Sequence, residues 1–371
     1  MKNRFAILPL LLLAVFLPTA CMDYGENETE RIAIDDAPGL FIINEGNFMY
    51  GTGSLSYYDI RSKQVENNVF LRTNGVKLGD VAQSMTIHKG LGYIVVNNSS
   101  VIFVIDIRTF ELVKILKGFI SPRYVHFVND EKAYVTDLYT FAITVFNPQT
   151  LEITNRIKTD IKGKTAPSTE QMVQYKNYVF TNCWSYDNKI LVIDTDTDTA
   201  VDYIEVGKQP TSLVLDKNNK LWTITDGGYS GSPYGQEAPG LYKVDAETRS
   251  VEQVFRFETG DRGSEICMNE ARDSIFFIRS RKEIDNGREV SRDHIWKMSV
   301  EDKALPAEPF LTNTSTNRWY GLAVDPHTSE VYVADAIDYV QPGFIYRYSA
   351  EGERIDKFQV GVIPGAFCFN Y

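Results

Sequence analysis

One short segment returns seven times along the chain, each time at the same place in a unit of roughly forty to fifty residues. Each copy is rich in β-branched and aromatic residues, which strands favour, and ends in a polar residue. The copies are LFIIN at 40–44, YIVVN at 93–97, AYVTD at 133–137, YVFTN at 178–182, WTITD at 222–226, IFFIR at 275–279 and VYVAD at 331–335. A period of this length predicts an array of like units.

The neighbours of each copy also repeat. A short apolar strand precedes it, as in SMTIH at 84–88, and a third strand follows, as in VIFVIDI at 101–107. A fourth, more polar strand comes next, as in KQVENNVF at 63–70 and ELVKILKG at 111–118. Four antiparallel strands in each of many consecutive units indicate a β-propeller.

The first strands fix the number of blades. Six of them lie at 84–88, 124–128, 171–175, 211–215, 265–269 and 321–325, whereas the repeat that begins at Gly39 has none before it. Residues 365–369 supply the missing strand at the C-terminus. We therefore predict an all-β fold, a seven-bladed β-propeller of four-stranded antiparallel blades, whose ring is closed by the C-terminal strand completing the first blade. Six or eight blades are the alternatives, because blade boundaries are soft in sequence.

The N-terminus predicts export. Lys2 and Arg4 precede an apolar run at 7–17 that is too short to cross a bilayer, so residues 1–20 are interpreted as a signal peptide. The segment PTAC at 18–21 resembles a bacterial lipobox and implies lipidation at Cys21, although Pro18 stands where Leu is usual. An ordinary signal with a chance cysteine is the alternative. Residues 21–38 are acidic, predict a flexible tether, and resemble the export signal of Bacteroides-type surface lipoproteins; residues 39–371 form the propeller.

The charge of the chain restricts its binding partners, and its cysteines are few. The formal net charge of −11 is spread without basic clusters, which argues against nucleic acid and against an anionic membrane surface. Three cysteines remain after Cys21, namely Cys183, Cys267 and Cys368, and we expect buried free thiols.

The connections between strands differ on the two faces of the predicted ring. Connections between second and third strands emerge on one side, which we call the loop face, and four of them are long: 45–53, 227–240, 280–293 and 336–343. Loops on a rigid scaffold often carry binding sites. The other face has tight turns. One of them, DTDTD at 194–198, has the carboxylate spacing of a calcium loop but lacks the glycine at the sixth place, so we predict an ordinary turn.

The loop face is rich in the residue types that dominate binding hot spots. The polar ends of the seven repeated strands, Asn44, Asn97, Asp137, Asn182, Asp226, Arg279 and Asp335, are expected to surround one channel mouth. The predicted ligand-binding residues are Asn44, Asn97, Arg123, Tyr124, Tyr139, Trp184, Tyr186, Asp226, Tyr229, Arg279, Arg281, Arg318, Trp319 and Asp335. Packing of some rings between blades and capping of strands by Asn and Asp are the alternative roles.

Catalytic chemistry has little support in the sequence. The only histidines are His88, His126, His294 and His327, and none is expected to project from the loop face. We predict no catalytic residues, no metal site and no cofactor, and hence no enzyme. A metal-dependent enzyme of the lactonase or lyase type is the alternative, because strand-end Asn and Asp side chains surround the metal in such propellers.

Several motifs resemble known propellers. Nearly the whole mature chain resembles YVTN/YncE-type seven-bladed repeats. The segments that carry this resemblance are YVTD at 134–137, VIDTDT at 192–197 and the VG and P of 206–210. Together with the lipobox, the tether and FIINEGNF at 41–48, they make the chain similar to BtuG-type surface lipoproteins of Bacteroides. This resemblance implies capture of cobalamin (vitamin B12) or related corrinoids as transported ligand, and delivery to a TonB-dependent transporter from a lipid-anchored position outside the outer membrane. A surface propeller that binds glycan or protein is the alternative.

Overall fold

All seven repeated segments form strands, and each is the second strand of its own antiparallel sheet. The computed structural model describes residues 38–161, 163 and 168–371. The predicted signal peptide, Cys21 and the tether up to residue 37 lie outside the described residues. The prediction of a seven-bladed β-propeller is confirmed.

The strand bounds follow the repeats. Blade one contains β1 (Gly39–Asn44), β2 (Ser54–Asp59) and β3 (Gln64–Glu66); blade two, β4 (Ala82–His88), β5 (Leu91–Val96), β6 (Val101–Asp106) and β7 (Leu112–Leu116); blade three, β8 (Pro122–Asn129), β9 (Lys132–Asp137), β10 (Ala142–Asn147) and β11 (Glu152–Lys158). Blade four contains β12 (Met172–Tyr175), β13 (Tyr178–Cys183), β14 (Lys189–Asp194) and β15 (Thr199–Glu205); blade five, β16 (Pro210–Leu215), β17 (Lys220–Thr225), β18 (Gly240–Asp245) and β19 (Ser250–Arg256). Blade six contains β20 (Arg262–Met268), β21 (Ser274–Asp285) and β22 (Arg288–Ser299); blade seven, β23 (Trp319–Val324), β24 (Val331–Asp335), β25 (Pro342–Tyr348) and β26 (Arg354–Val362).

The ring closes as the sequence predicts. The last strand, β27 (Pro364–Asn370), pairs antiparallel with β1, with Phe41 opposite Cys368 and Ile43 opposite Ala366. The sheet order of blade one is therefore β27-β1-β2-β3, which joins the two ends of the described chain. Pairing removes the free edge that β1 would otherwise present.

Blade six departs from the four-stranded pattern. Its second and third strands form a hairpin of two twelve-residue strands, paired from Ser274 opposite Ser299 to Asp285 opposite Arg288. Where a fourth strand is expected, only Leu311 pairs with Ile295, as an isolated bridge. Pro306 and Pro309 lie just before Leu311 and lack the amide hydrogen that a longer ladder needs.

Blade one contains a helix that the sequence did not predict. The expected fourth strand at 63–70 stops at Glu66, and α1 (Val69–Asn74) follows. Asn68 adopts a left-handed conformation with φ 57°, which breaks the strand, and Gly75 ends the helix with φ 67°. Val69 and Phe70 of the helix are buried in the cluster between blades one and two.

Apolar side chains pack between neighbouring blades. Because successive residues of a strand point to opposite faces, β1 contributes to two clusters. Leu40 and Ile42 pack with Tyr332 of blade seven, whereas Phe41 and Ile43 pack on the side of blade two. Seven such clusters occur in the described part of the chain.

Two further predictions are confirmed. Asp194 accepts hydrogen bonds from the amides of Asp196 (2.9 Å) and Thr197 (3.1 Å), so the DTDTD segment is a turn. The cysteines at 183, 267 and 368 are free thiols, as predicted; Cys183 is buried, whereas Cys267 and Cys368 are partly exposed. Among the described residues, no helix is long and apolar enough to cross a membrane.

Candidate functional site

The innermost strands of the blades leave their regular pairing at the same level of the ring. In β20, Ser264 lies opposite Ile278 and Ile266 opposite Phe277, so Glu265 is an extra residue. Equivalent shifts leave Gln83, the pair Arg123 and Tyr124, Gln171, Thr211, Tyr320 and Gly365 without a partner residue. Bulges of this kind redirect side chains. All of these residues line one central cavity.

The cavity has a volume of about 640 Å³ and is lined by residues of all seven blades. Its ionisable lining forms two groups, which we name the lower level and the level nearer the loop face. The lower level contains Glu45, Glu170, Glu265 and Arg123, which interact with one another, and the level nearer the loop face contains the pairs Asp226 with Arg262 and Asp293 with Arg318. The site is therefore a polar, mainly acidic cavity on the axis of the ring.

Arg123 and Glu170 form the most buried ion pair of the lower level. The Nε of Arg123 donates to Oε2 of Glu170 at 2.8 Å, and Nη1 donates to Oε1 of Gln83 at 2.6 Å. Burial raises the pKa of Glu170 above its ordinary value, while the Arg123 guanidinium pulls it down. The second oxygen of Glu170, Oε1, is buried and has no hydrogen-bond partner within the described part of the chain.

Glu45 enters the cavity where Gly365 leaves room for it. A Cβ atom at residue 365 would lie 2.5 Å from Oε1 of Glu45, so a larger residue there would require the Glu45 carboxylate to shift. The Tyr320 hydroxyl donates to Oε2 of Glu45 at 3.3 Å. Burial raises the pKa of Glu45 to about 7, although Tyr320 and Arg123 lower it.

Glu265 is held in the cavity by its backbone. Its φ of 44° is left-handed, which is unusual for a residue other than glycine and belongs to the bulge of β20. Burial, together with the negative charges of Glu45 and Glu170, raises the pKa of Glu265 to about 8. Glu45 and Glu265 thus retain protons well above the ordinary titration range of a glutamate.

These two groups make a prediction for stability against pH. The folded protein binds their protons more tightly than the unfolded chain, whose glutamates titrate near 4.5. The stabilisation is therefore full below pH about 4.5 and is lost as the pH rises through 7 to 8. We expect urea unfolding of Glu45→Gln and Glu265→Gln to show a shallower fall in stability between pH about 5 and 9 than the wild type.

The exposed Glu258 provides the control for this experiment. Glu258→Gln should keep the wild-type slope. An unchanged slope in both cavity variants would show that these two carboxyl groups do not hold the extra protons.

The level nearer the loop face is fixed by hydrogen bonds. Asp226 accepts from Gln209 Nε2 at 3.0 Å and from Trp184 Nε1 at 3.4 Å. Asp293 accepts from the Trp319 amide at 3.1 Å and lies 3.2 Å from Nη2 of Arg318. Burial raises the pKa of both aspartates. These contacts preorganise the entrance of the cavity.

Exposed tyrosines lie beside two cavity-lining residues, since Tyr186 comes two residues after Trp184 and Tyr229 three residues after Asp226. We call Tyr139, Tyr186, Tyr229 and Tyr234 the aromatic rim; their exposed fractions are 60%, 51%, 52% and 57%. The rings of Tyr186 and Tyr234 stack with centroids 4.6 Å apart, and a hydrogen bond with Tyr229 raises the pKa of Tyr186. Clustered exposed rings form a surface suited to a partner or ligand.

Comparison with known proteins identifies the family. The family model for a domain of unknown function, DUF5074, matches residues 38–370. The chain belongs to the DUF5074 family. No curated protein matches this DUF5074 domain at a significant level.

Solved structures share the fold of this DUF5074 domain. A quinonprotein alcohol dehydrogenase-like protein from Bacteroides thetaiotaomicron has 16% identity and a TM-score of 0.67, over 91% of this chain and 79% of that one. Hydrazine synthase from Kuenenia stuttgartiensis has 15% identity and a TM-score of 0.57, over 77% and 89%. The dihydro-heme d1 dehydrogenase NirN has 10% identity and a TM-score of 0.58, over 91% and 76%. At such identities the likeness shows the fold alone.

The structure brings together some of the predicted ligand-binding residues of this DUF5074 domain. Those that line the cavity are Arg123, Tyr124, Trp184, Asp226, Arg318 and Trp319. Tyr139, Tyr186 and Tyr229 belong to the aromatic rim. Nine of the fourteen predicted residues therefore lie at the cavity or beside its entrance.

The other five are placed elsewhere. Asn44 is buried and donates to Ser56 Oγ at 3.0 Å, and Asn97 donates to Ser121 Oγ at 2.7 Å. Arg279 pairs with Asp261 at 2.6 Å, and Arg281 lies over the Trp296 ring. Asp335 accepts from the Ile337 amide at 2.8 Å.

Of the seven strand-end side chains, only Asp226 lines the cavity. The reason is that the repeated strand is second from the axis. Its polar ends therefore reach neighbouring loops before they reach the channel.

Sequence reasoning missed the acidic lower level. The predicted site residues did not include Glu45, Glu170, Glu265 or Gln83, although Glu265 begins a predicted strand and the other three border one. A signal was present: a charged or amide residue stands at the start of several first strands, where an inward-facing apolar residue is expected. Within the described residues, no group of three His, Cys, Asp or Glu side chains is arranged to hold a metal ion.

Proposed function

We propose that this protein is a lipid-anchored surface receptor that captures cobalamin or a related corrinoid and passes it to a TonB-dependent outer-membrane transporter. The observation that carries the proposal is the aromatic rim at the entrance of a polar cavity. In this proposal the protein binds and transfers its ligand unchanged and is not an enzyme, and the corrinoid is a transported ligand and not a cofactor.

A corrinoid is a broad disc edged with amide side chains, so it needs both flat contact surface and hydrogen-bond partners. The tyrosines of the rim offer the surface, and Arg318, Arg262 and Gln171 at the cavity offer partners for amides. The disc is too broad for a cavity of about 640 Å³, so we place it across the entrance with one edge inside.

The energetics are adequate for capture. Burying about 400 Å² of apolar surface contributes roughly 10 kcal/mol before the costs of ordering and association are subtracted. Each neutral hydrogen bond to an amide adds only about 0.5–1.5 kcal/mol. Shape and apolar contact therefore supply most of the affinity, and hydrogen bonds set the orientation.

Cobalt ligation is not part of the proposal. His126 lines the cavity, but its Nε2 lies 3.0 Å from Gln174 Oε1, and the Nε2 of His294 lies 2.8 Å from Glu283 Oε1. Both side chains already have partners. The anchor at Cys21 and the acidic tether complete the proposal, because a short linker would keep the loop face near a transporter in the same membrane.

Direct binding of cyanocobalamin, which is coloured, tests the proposed ligand class. Purified protein is mixed with cyanocobalamin, passed through a desalting column and measured by absorbance, with isothermal titration calorimetry in parallel. Retained colour and measurable heat are expected. If neither colour is retained nor heat is measured, the corrinoid proposal is wrong. Equal retention of haemin, a disc without amide arms, would show that only a flat ring is recognised.

The aromatic rim makes a second prediction. Tyr186→Ala and Tyr229→Ala should each weaken cyanocobalamin binding about ten-fold or more, because hot-spot rings contribute about 2 kcal/mol or more. Since half of each side chain is exposed, the melting temperature should hardly change. Ile153→Ala, on the outer strand β11, is the matched control and should bind normally. A loss of stability equal to the loss of binding would assign these tyrosines to packing.

A further inference from the structure

The charges that line the central cavity do not balance. Five carboxylates face it, from Glu45, Glu170, Asp226, Glu265 and Asp293, and three arginines, Arg123, Arg262 and Arg318. When all are ionised, two negative charges are in excess. Arg123 is paired with Glu170, and Arg318 lies 3.2 Å from Asp293. The charge of Arg262 acts on Asp226, the third carboxylate. The excess therefore falls on the lower level, at Glu45 and Glu265.

Hydrogen bonding in the lower level is also incomplete. Glu170 is only 3% exposed, yet its Oε1 has no partner among the described residues. Glu45 receives only the Tyr320 hydroxyl, and no described residue donates to the Glu265 carboxylate. A buried acceptor without a donor costs about 1–3 kcal/mol, more when it is charged. The cavity thus presents acceptors that the protein itself leaves unsatisfied.

Room for a donor is present beside these acceptors. The cavity volume of about 640 Å³ suits a small organic molecule. Between the polar groups the lining includes Met85, Leu213 and Leu322, which offer contact to a short hydrocarbon chain.

We propose that the lower level of the cavity binds a small aliphatic diamine with both nitrogens protonated. Two ammonium groups supply the two missing positive charges and donate to Glu45, Glu265 and Oε1 of Glu170. The carbon chain between them lies against the apolar lining. A metal ion is a poorer match, because the described carboxylates do not form a group of three arranged around one point.

Binding of this kind is linked to protons. Glu45 faces Tyr320 and Arg123, and Glu265 faces Glu45, Glu170, Tyr124 and Cys267. Because both carboxyl groups hold protons near neutrality, the diamine must displace them when it binds. Affinity therefore rises with pH, and protons are released at neutral pH.

The diamine site does not depend on the corrinoid proposal. The rim tyrosines lie outside the lower level, and the titration described next contains no corrinoid. Failure of either proposal leaves the other standing.

The test is calorimetric titration of the full protein with 1,4-diaminobutane, whose nitrogens stay protonated across the range used. Affinity should increase about ten-fold or more between pH about 6 and 8.5. At pH 7, titrations in two buffers with different ionisation heats should report proton release.

Variants locate the site. Glu265→Gln and Glu45→Gln should each weaken diamine binding about ten- to a hundred-fold, because each removes a charge-assisted hydrogen bond. Glu258→Gln should bind as the wild type does. If either cavity variant fails to fold, proton release by the unaltered protein still decides the question.

Several results would overturn the proposal. These are no heat at either pH, binding without proton release, equal binding of the uncharged 1,4-butanediol, or calcium binding in place of the diamine. Unchanged affinity in both cavity variants would place the diamine elsewhere.

Discussion

Deleting residues 364–371 is expected to abolish cooperative folding of the protein. These residues form β27, which is the inner strand of blade one and pairs with β1 along its whole length. Their loss would expose the edge of β1 and remove Phe367 and Phe369 from the packing between blades seven and one. An open ring with a newly exposed strand edge is prone to aggregate. The measurements are circular dichroism during heating and size-exclusion chromatography.

Complementation provides the control for this truncation. A synthetic peptide of residues 361–371 should restore a cooperative transition, because it can occupy the vacant strand position. Deleting Tyr371 alone leaves β27 intact and should be tolerated. A truncated monomer that melts within a few degrees of the full chain would show that six blades and a partial seventh suffice.

Replacing Arg123 by Met should destabilise the protein by about 3–5 kcal/mol, the cost of leaving one member of a buried ion pair alone. The side chain of the partner, Glu170, is 4% exposed and has no second cation within 4.0 Å among the described residues. We expect the loss to be larger at high pH, because Glu170 then has to ionise without its guanidinium. Urea unfolding at pH about 6 and 9 measures both effects.

A double variant separates charge from packing. Arg123→Met combined with Glu170→Gln should recover part of the lost stability, because the unpaired charge is gone. Equal destabilisation of the single and double variants would mean that Arg123 acts through its contact with Gln83 and its bulk.

The sequence predicts the architecture well because the fold depends on local patterns. Alternation of apolar residues, turn residues at fixed spacing and a repeat of constant length are all visible in the chain. The C-terminal strand was found by counting, since one first strand was missing at Gly39. The repeat pattern predicted the fourth strands of blades one and six wrongly. Asn68 ends the strand before α1, and the prolines before Leu311 leave only an isolated bridge.

The candidate site was predicted only in part. Arg123, Tyr124 and Trp184 were found because aromatic and arginine residues on the loop face are conspicuous. Glu45, Glu170 and Glu265 were not, because a glutamate beside a strand is ordinarily a solvated surface residue. These glutamates come together through bulges in different blades, and Glu45 and Glu265 are 220 residues apart in the sequence.

The blades, their number and the closure of the ring can be derived from the sequence alone, since each depends on hydrogen bonding and apolar alternation within a repeat. Which polar side chains face the axis depends on how the strands pair in the folded ring. A shift of one residue in an inner strand turns a side chain from the sheet into the cavity, and that shift is set by pairing with the neighbouring strand. The acidic lower level therefore exists only once the ring has formed.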